Sequence, residues 1–189
     1  MSTALGSNQA GAARWVALDR DGVVNHDSPH YIKSPAEWQP VPGSLEAIAR
    51  LTQAGWRVCL ATNQAGLGRK LFDYDAFAGM NAKMQKALAD LGGRIDAVAF
   101  APEHPDQATE MRKPNPGMLK DLARRLGTGT EGVWFVGDSP TDVAAARAAG
   151  MRPALVRSGN GAATVAALAD DTVPVFEDLG AFVSHLLLS

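Results

Sequence analysis

The stretch VALDRDGVVN, residues 16–25, places two aspartates, Asp19 and Asp21, directly after a short apolar run. Residues i and i+2 of a β-strand point to the same side, so the two carboxylates would share one small space. Like charges at that distance repel unless a cation joins them. The pair therefore predicts a cation site, and Gly22 after it would let the chain turn sharply beside a ligand.

Three further polar segments follow apolar runs that are predicted strands. They are TNQAG (62–66) after the second run, RKP (112–114) in the loop after the third, and GDSPTD (137–142) after the fourth. In open parallel sheets, ligands bind at the carboxyl ends of the strands. We therefore expect acids, a hydroxyl group and a lysine to converge at one sheet edge.

Converging there, Asp19 and Asp138 could bind Mg²⁺ through oxygen, with Asp142 behind them as a supporting or helix-capping acid. Asp19 could then attack a bound phosphate to form an aspartyl-phosphate.

The other site residues would act on either side of that attack. Asp21, outside the line of attack, could protonate the leaving alcohol and later activate water. Thr62 could hold the phosphoryl oxygens, and Lys113 would offset the negative charge that develops on the transferring group.

The elements that must position these residues alternate along the chain. Predicted strands at 15–18, 57–62, 97–101, 133–137, 153–157 and 173–176 alternate with predicted helices at 44–53, 74–91, 116–126, 140–149, 163–168 and 179–187. This order predicts a doubly wound, three-layer α/β/α fold with a mostly parallel sheet. Longer loops are predicted at 25–42, 63–72 and 101–115.

The composition excludes several classes of protein. With 189 residues, 46% hydrophobic content and a net charge of −2, the chain predicts one globular domain at 14–189 and no nucleic-acid partner. No apolar run could span a bilayer, and residues 1–13 predict a flexible tail without signal-peptide features, so we expect no membrane partner and a cytoplasmic protein. The single cysteine, Cys59, excludes a disulfide framework. A monomer and a small homo-oligomer both stay open.

The motifs DRDGVVN, TNQAG, RKPNPG and GDSPTD resemble, in order and spacing, the four motifs of the haloacid-dehalogenase-like phosphatases, over about Trp15 to Arg157. LDRDG, TNQ and RKPNPGM resemble in particular the branch that contains heptose-bisphosphate and histidinol-phosphate phosphatases. The resemblance implies a Rossmann-like fold without a large cap domain and Mg²⁺-dependent hydrolysis of a small sugar phosphate. The heptose substrate would belong to lipopolysaccharide precursor synthesis, and histidinol phosphate is the alternative.

The same resemblance implies roles for individual residues. Asp19 would be the nucleophile, Asp21 the general acid/base, and Thr62 and Lys113 would steady the phosphoryl group. Magnesium would bind the Asp19 carboxylate, the Asp21 backbone carbonyl and the Asp138 carboxylate. Arg112 would contact the distal phosphate or the sugar. The implied substrate-binding residues are Asp27, Ser28, Pro29, His30, Asn63, Gln64, Ala65, Arg112 and Ser139.

The loop before the RKP motif departs from the family pattern. Many relatives have a zinc-binding loop there with cysteines and a histidine, whereas this chain reads FAPEHPDQATEMRKP, with His104 and no cysteine. Four tetrahedral ligands cannot be assembled from this segment, so we expect no structural zinc. The departure leaves the sugar anomer open.

Two other classes of function compete with a phosphatase. The aspartate pocket could belong to a phospho-acceptor or binding module without turnover, although Asp21 would then have no use as an acid/base. A nucleic-acid end phosphatase would need a basic groove, for which the net charge gives no support.

Overall fold

Six apolar segments of the chain form one sheet, in which each registered pair of strands is parallel. The computed structural model describes residues 14–188, so the predicted tail at 1–13 lies outside the described residues. The strands are β1 Trp15–Leu18, β2 Arg57–Asn63, β3 Ala97–Ala101, β4 Trp134–Gly137, β5 Arg152–Val156 and β6 Val175–Phe176. Their spatial order, β3-β2-β1-β4-β5-β6, puts β1 between β2 and β4.

Helices cover both faces of this sheet. They are α1 Ser44–Gln53, α2 Ala65–Gly68, α3 Tyr74–Asp90, α4 Gly117–Leu126, α5 Pro140–Ala148, α6 Gly161–Leu168 and α7 Leu179–Leu188, with a 3₁₀ turn at Pro105–Gln107. Val16 and Leu18 of β1 pack with α1, α3 and α7, whereas Trp15 and Ala17 pack with α4 and α5. Strands buried on both faces are expected to be continuously apolar, and this one is. The predicted three-layer parallel fold is confirmed.

Several predicted boundaries differ from the structure. The predicted loop at 63–72 contains α2, whose four residues, two of them glycine, are too few to show a helical period. The sixth helix begins at Gly161, two residues before the predicted start at 163, because a glycine of low helix propensity gives no signal for a helix start. The last strand is confined to Val175–Phe176. No helix in residues 14–188 is long and apolar enough to cross a membrane.

The loop that follows β1, residues 25–42, is anchored by Trp38, which is 1% exposed. Its indole Nε1 donates to Asn25 Oδ1 at 3.0 Å. From α3, Lys83 Nζ donates to the backbone oxygens of Pro35 and Trp38 at 2.7 and 2.8 Å. The loop therefore lies fixed over the carboxyl end of β1.

Replacing Trp38 with phenylalanine should destabilise the protein by about 1–3 kcal/mol, because Asn25 Oδ1 would stay buried without its donor. The matched control is Trp15→Phe, at the opposite end of β1, which loses a longer bond of 3.3 Å to Gly129 O. Chemical denaturation of both variants checks the comparison. Equal losses of unfolding free energy would contradict the anchoring assigned to Trp38.

Candidate active site

The carboxyl ends of β1, β2 and β4 surround a cavity of about 360 Å³. The residues predicted from sequence that line it are Asp19, Asp21, Asp27, Ser28, Pro29, Thr62, Asn63, Gln64, Lys113, Asp138 and Ser139. Residues from four separate parts of the sequence thus meet in one space, because parallel neighbouring strands end at the same sheet edge.

Four other predicted residues do not line this cavity. His30 is exposed on the loop after β1, and Ala65 is buried as the first residue of α2. Arg112 is half-buried and donates through Nη1 to Glu103 O at 3.0 Å. Asp142 is buried behind the cavity wall, where it contacts Lys113.

The two aspartates of the DRD segment reach the cavity by a different route from the one predicted. β1 ends at Leu18, so strand alternation does not govern Asp19 and Asp21. The Asp19 amide still donates to Val136 O at 2.8 Å, which fixes its backbone to β4. After Asp21 the chain turns at Gly22, whose φ of +86° favours glycine. Both side chains nevertheless line the same cavity.

Asp19 is buried, and its carboxylate is held through one oxygen. Oδ1 accepts from the Arg20 amide at 2.7 Å and lies 2.8 Å from Lys113 Nζ. Oδ2 accepts no hydrogen bond from the described residues. Burial is the main cause that raises the pKa of Asp19 well above its ordinary value, and Lys113 opposes this effect. The negative charges of Asp142, Asp138 and Asp21 raise it further.

Lys113 joins two acids at the base of the cavity. Its Nζ lies 2.8 Å from Asp19 Oδ1 and 2.7 Å from Asp142 Oδ1, and its side chain is buried. Burial by itself lowers the pKa of Lys113, but the two carboxylates outweigh burial and hold its pKa above the ordinary value. The lysine therefore stays charged throughout the neutral range.

Asp142 serves both as a helix cap and as a partner for that lysine. Its Oδ2 accepts from the Ser139 amide at 3.0 Å, from Ser139 Oγ at 2.6 Å and from the Asp138 amide at 3.2 Å. The bond from the Ser139 amide is one half of a capping box at the start of α5. Because Oδ2 accepts these hydrogen bonds and Oδ1 lies 2.7 Å from Lys113 Nζ, Asp142 supports the site from behind.

Asp138 is held from the other side by the turn that follows β5. Its Oδ2 accepts from the Asn160 amide at 2.7 Å, while Oδ1 accepts no hydrogen bond from the described residues. A Cβ on Gly22 would lie 2.1 Å from that Oδ2, and one on Gly159 would lie 2.3 Å from it. Burial, foremost, raises the pKa of Asp138 to about 6, and the charges of Asp142 and Asp27 add to the rise.

The donor set of the cavity fits Mg²⁺. Carboxylate oxygens of Asp19, Asp138 and Asp142 lie within 4.8 Å of one another. Three acids with one lysine leave an excess of negative charge, and Asp138 Oδ1 accepts no hydrogen bond from residues 14–188. A hard cation that binds few carboxylates and keeps water ligands suits this arrangement.

The TNQ segment positions other site residues. Asn63 Oδ1 accepts from the Lys113 amide and its Nδ2 donates to Lys113 O, both at 3.1 Å. Gln64 Nε2 donates to Thr62 Oγ1 at 2.9 Å and to Asp21 Oδ2 at 2.8 Å. The amide groups that were predicted to meet substrate are therefore engaged in holding the lysine, the threonine and the second aspartate.

Sequence reasoning missed several residues of this cavity. Tyr31 and Ile32 line it just beyond the predicted segment 27–30, and Asn160 and Thr141 line it as well. Asn160 also donates to Asp27 Oδ2 at 2.9 Å. Asn160 follows the carboxyl end of β5, so the rule that ligands bind at the carboxyl ends of parallel strands is a signal for it as well. Arg20 gave no signal, because an arginine between two predicted site acids on a strand is expected to point to the opposite face.

The loop between β3 and α4 is supported by its own polar groups. Thr109 Oγ1 donates to Glu103 Oε1 at 2.5 Å, and Asn115 Nδ2 donates to Thr109 O at 2.8 Å. His104 Nδ1 accepts from the Asp106 amide at 3.2 Å. The absence of a structural zinc stays a prediction.

Comparison with known proteins agrees with this architecture. A family model described as HAD-hydrolase-like matches residues 110–182. A D-glycero-β-D-manno-heptose-1,7-bisphosphate 7-phosphatase of Bordetella bronchiseptica is 52% identical over 174 residues, 91% of this chain and 97% of the relative. The enzyme of the same name from Pseudomonas aeruginosa is 45% identical over 170 residues, 90% and 96% of the two chains.

Solved structures show the same likeness. The crystal structure of the D,D-heptose 1,7-bisphosphate phosphatase from B. bronchiseptica, complexed with magnesium and phosphate, has a TM-score of 0.90 at 50% identity and covers 93% of this chain and 98% of its own. The crystal structure of the D,D-heptose 1,7-bisphosphate phosphatase from Burkholderia thailandensis has a TM-score of 0.74 at 42% identity. It covers 93% of this chain and 99% of its own. Fold and site define a haloacid-dehalogenase-like hydrolase. Within that superfamily, the chain belongs to the family of the heptose-bisphosphate phosphatases named above.

Magnesium should raise the melting temperature more at about pH 7.5 than at about pH 5. The pKa of Asp138 is raised to about 6 from an ordinary value of 3.8, so the folded cation-free protein binds a proton more tightly than the unfolded chain. The contribution of Asp138 to the folding stability of the cation-free protein therefore falls as pH rises from about 4 to 7. A bound cation would offset this loss of stability where the carboxylate is ionised.

Thermal unfolding with and without MgCl₂ at both pH values checks this expectation. In the variant Asp138→Asn, the magnesium-dependent rise should be small at both pH values. A rise of equal size at the two pH values in the unmodified protein would contradict the role given to Asp138.

Proposed function

We propose that this chain is a Mg²⁺-dependent phosphatase that removes the 7-phosphate of D-glycero-β-D-manno-heptose 1,7-bisphosphate. One observation carries the chemistry: Asp19, Asp21, Thr62, Lys113 and Asp138 line a single cavity. The names of the relatives support the heptose substrate and its β anomer. This activity would serve the synthesis of lipopolysaccharide heptose precursors.

The first step transfers the phosphoryl group to Asp19. Its Oδ2 accepts no hydrogen bond from the described residues, so we assign the attack on phosphorus to Oδ2. A bond forms between Oδ2 and phosphorus while the bond from phosphorus to the sugar oxygen breaks. The Asp21 carboxyl group gives its proton to that sugar oxygen, which leaves as a neutral alcohol.

The second step releases phosphate from the acylphosphate on Asp19. The Asp21 carboxylate, ionised by the first step, takes a proton from water as the water oxygen bonds to phosphorus. The bond from phosphorus to Asp19 Oδ2 breaks, which restores the Asp19 carboxylate and the protonated Asp21. One side chain thus serves as acid and then as base.

Two positive charges would stabilise the phosphoryl group during both steps, one from Lys113 and one from the bound cation. Lys113 orients Asp19 and offsets negative charge as the phosphoryl group moves. The Asp19 and Asp138 carboxylates and the Asp21 backbone carbonyl would hold Mg²⁺, which when bound supplies positive charge to the phosphoryl oxygens. Thr62, buried at the end of β2, would donate to one of those oxygens.

Substrate selection is assigned to the loop after β1. Asp27, Ser28, Pro29 and Tyr31 form the outer wall of the cavity, whose volume of about 360 Å³ suits a small sugar phosphate. Arg112 is proposed to meet the distal phosphate. The cytoplasmic location and the monomeric or small homo-oligomeric state stay predictions.

Replacing Asp19 with asparagine should lower kcat by on the order of 10⁴- to 10⁶-fold, because the amide cannot form the acylphosphate. Phosphate release is measured on the two anomers of heptose 1,7-bisphosphate, histidinol phosphate and an oligonucleotide 3′-phosphate, with and without Mg²⁺. The control Asp90→Asn, an exposed acid on α3 that pairs with Lys86, should keep full activity.

Each outcome of that panel separates the candidate functions. The proposal expects the highest kcat/KM on the β-heptose bisphosphate, and only with Mg²⁺. Preference for histidinol phosphate would move the chain to the alternative substrate. No turnover on any substrate would favour a binding module, and near-normal activity of Asp19→Asn would refute the nucleophile.

A further inference from the structure

Arg20 is a buried arginine between the two aspartates, and the phosphatase chemistry gives it no task. Its side chain is 2% exposed, and its guanidinium lies over the Phe77 ring at 5.5 Å from the centroid. A buried cation is costly unless a paired group compensates for its lost hydration. The partner here is the adjacent residue, Asp21.

The guanidinium of Arg20 contacts both oxygens of the Asp21 carboxylate. Nε and Nη2 donate to Oδ1 at 3.1 and 3.0 Å, and Nη2 also donates to Oδ2 at 3.1 Å. The planar, multiple contact fixes the plane of the carboxylate as well as its distance, which a lysine ammonium could not do. The third nitrogen, Nη1, is buried and makes no hydrogen bond with the described residues.

Two amide side chains complete the enclosure of Asp21. Asn25 Nδ2 donates to Oδ1 and Gln64 Nε2 donates to Oδ2, both at 2.8 Å. Asn25 is itself fixed by Trp38, and Gln64 also bonds to Thr62. The carboxylate of Asp21 is thereby tied to the loop over β1 and to the end of β2, while its side chain keeps 20% exposure on the cavity side.

We propose that Arg20 is a positioning residue, which holds the ionised carboxylate of Asp21 in the orientation from which it takes a proton from water in the second step. The inference rests on the proposed function, since it takes Asp21 as the acid/base. Arg20 itself touches neither substrate nor reacting atoms in this assignment. Its effect passes through Asp21.

If Arg20 had only a structural role, its replacement would affect folding stability and leave catalysis intact, whereas a positioning role predicts the reverse. Replacing a buried ion pair by an apolar side chain of similar size is often neutral for folding. Asp21 in Arg20→Met would keep the donors Asn25 and Gln64 and its access to the cavity, and the methionine stem would still pack on Phe77. The variant should therefore fold and lose catalysis.

The test measures Arg20→Met and Arg20→Lys against the unmodified protein on heptose 1,7-bisphosphate and on p-nitrophenyl phosphate. We expect kcat on the heptose ester to fall about 10- to 100-fold in both variants, with KM changed less than about threefold. The nitrophenolate leaving group needs no protonation. In both variants, nitrophenolate release should therefore show a burst, followed by a slow phase in which hydrolysis of the acylphosphate limits the rate.

A double-mutant cycle measures whether the effect of Arg20 on kcat depends on Asp21, which a purely structural role does not predict. Because Arg20 acts through Asp21, Arg20→Met should change kcat less than about twofold in the background of Asp21→Asn. The control is Arg94→Met, since Arg94 pairs with Asp96 at 2.9 Å outside the cavity and should not affect kcat. If Arg20→Met does not fold, Arg20→Lys, which retains a cation, carries the same test.

Three results would overturn the inference. They are full activity of Arg20→Met, full activity of Arg20→Lys, and multiplicative losses in the cycle with Asp21→Asn. An active unmodified protein in the same assay keeps the proposed function intact in each of these cases. An unmodified protein without turnover would refute the proposed function and this inference with it.

Discussion

The active-site edge of this protein depends on one ion pair, in which a buried lysine lies between two buried aspartates. Lys113 contacts Asp19 at 2.8 Å and Asp142 at 2.7 Å. Without it, the three buried carboxylates of Asp19, Asp138 and Asp142 would lie close together uncompensated, and burial would drive them to take up protons. With it, the cluster keeps net negative charge, which is the condition for binding a divalent cation.

Each partner of that ion pair is positioned by a separate part of the fold. Asp19 follows the central strand and keeps one backbone bond to β4, and Asp142 is fixed by the capping box of α5. Lys113 comes from a loop beyond β3, and the side chain of Asn63 binds both backbone groups of that lysine. The doubly wound topology therefore positions Asp19 and Asp142 directly, whereas the hydrogen bonds of the Asn63 side chain position Lys113.

Much of this architecture could be predicted from the sequence, because its strands are short, apolar runs and the central ones are buried on both faces. WVAL and AVAFA read as strands since no polar residue interrupts them, and the polar residues that follow mark the ligand-binding edge. The strand-end rule predicted the meeting of Asp19, Thr62, Lys113 and Asp138, and these line one cavity. Family resemblance added the substrate class, which composition and spacing could not show.

What the sequence could not show depends on where regular structure stops. β1 ends at Leu18, so strand alternation does not explain why Asp19 and Asp21 line one cavity. Arg20 lines the same cavity, against the pattern expected for a strand. The amides of Asn63 and Gln64 looked suited to a ligand, but their partners lie far away in sequence, and only the folded chain shows that they hold protein groups.

The two hydrogen bonds between Asn63 and Lys113 have a consequence for how this lineage can diverge. They fix the lysine to β2, while its neighbours Arg112 and Asn115 donate to backbone oxygens of the segment from Pro102 to Met111. A relative with a different segment there would still keep the two backbone bonds of the lysine, provided that it kept the asparagine. The outer loop and the buried charge can therefore vary in part independently.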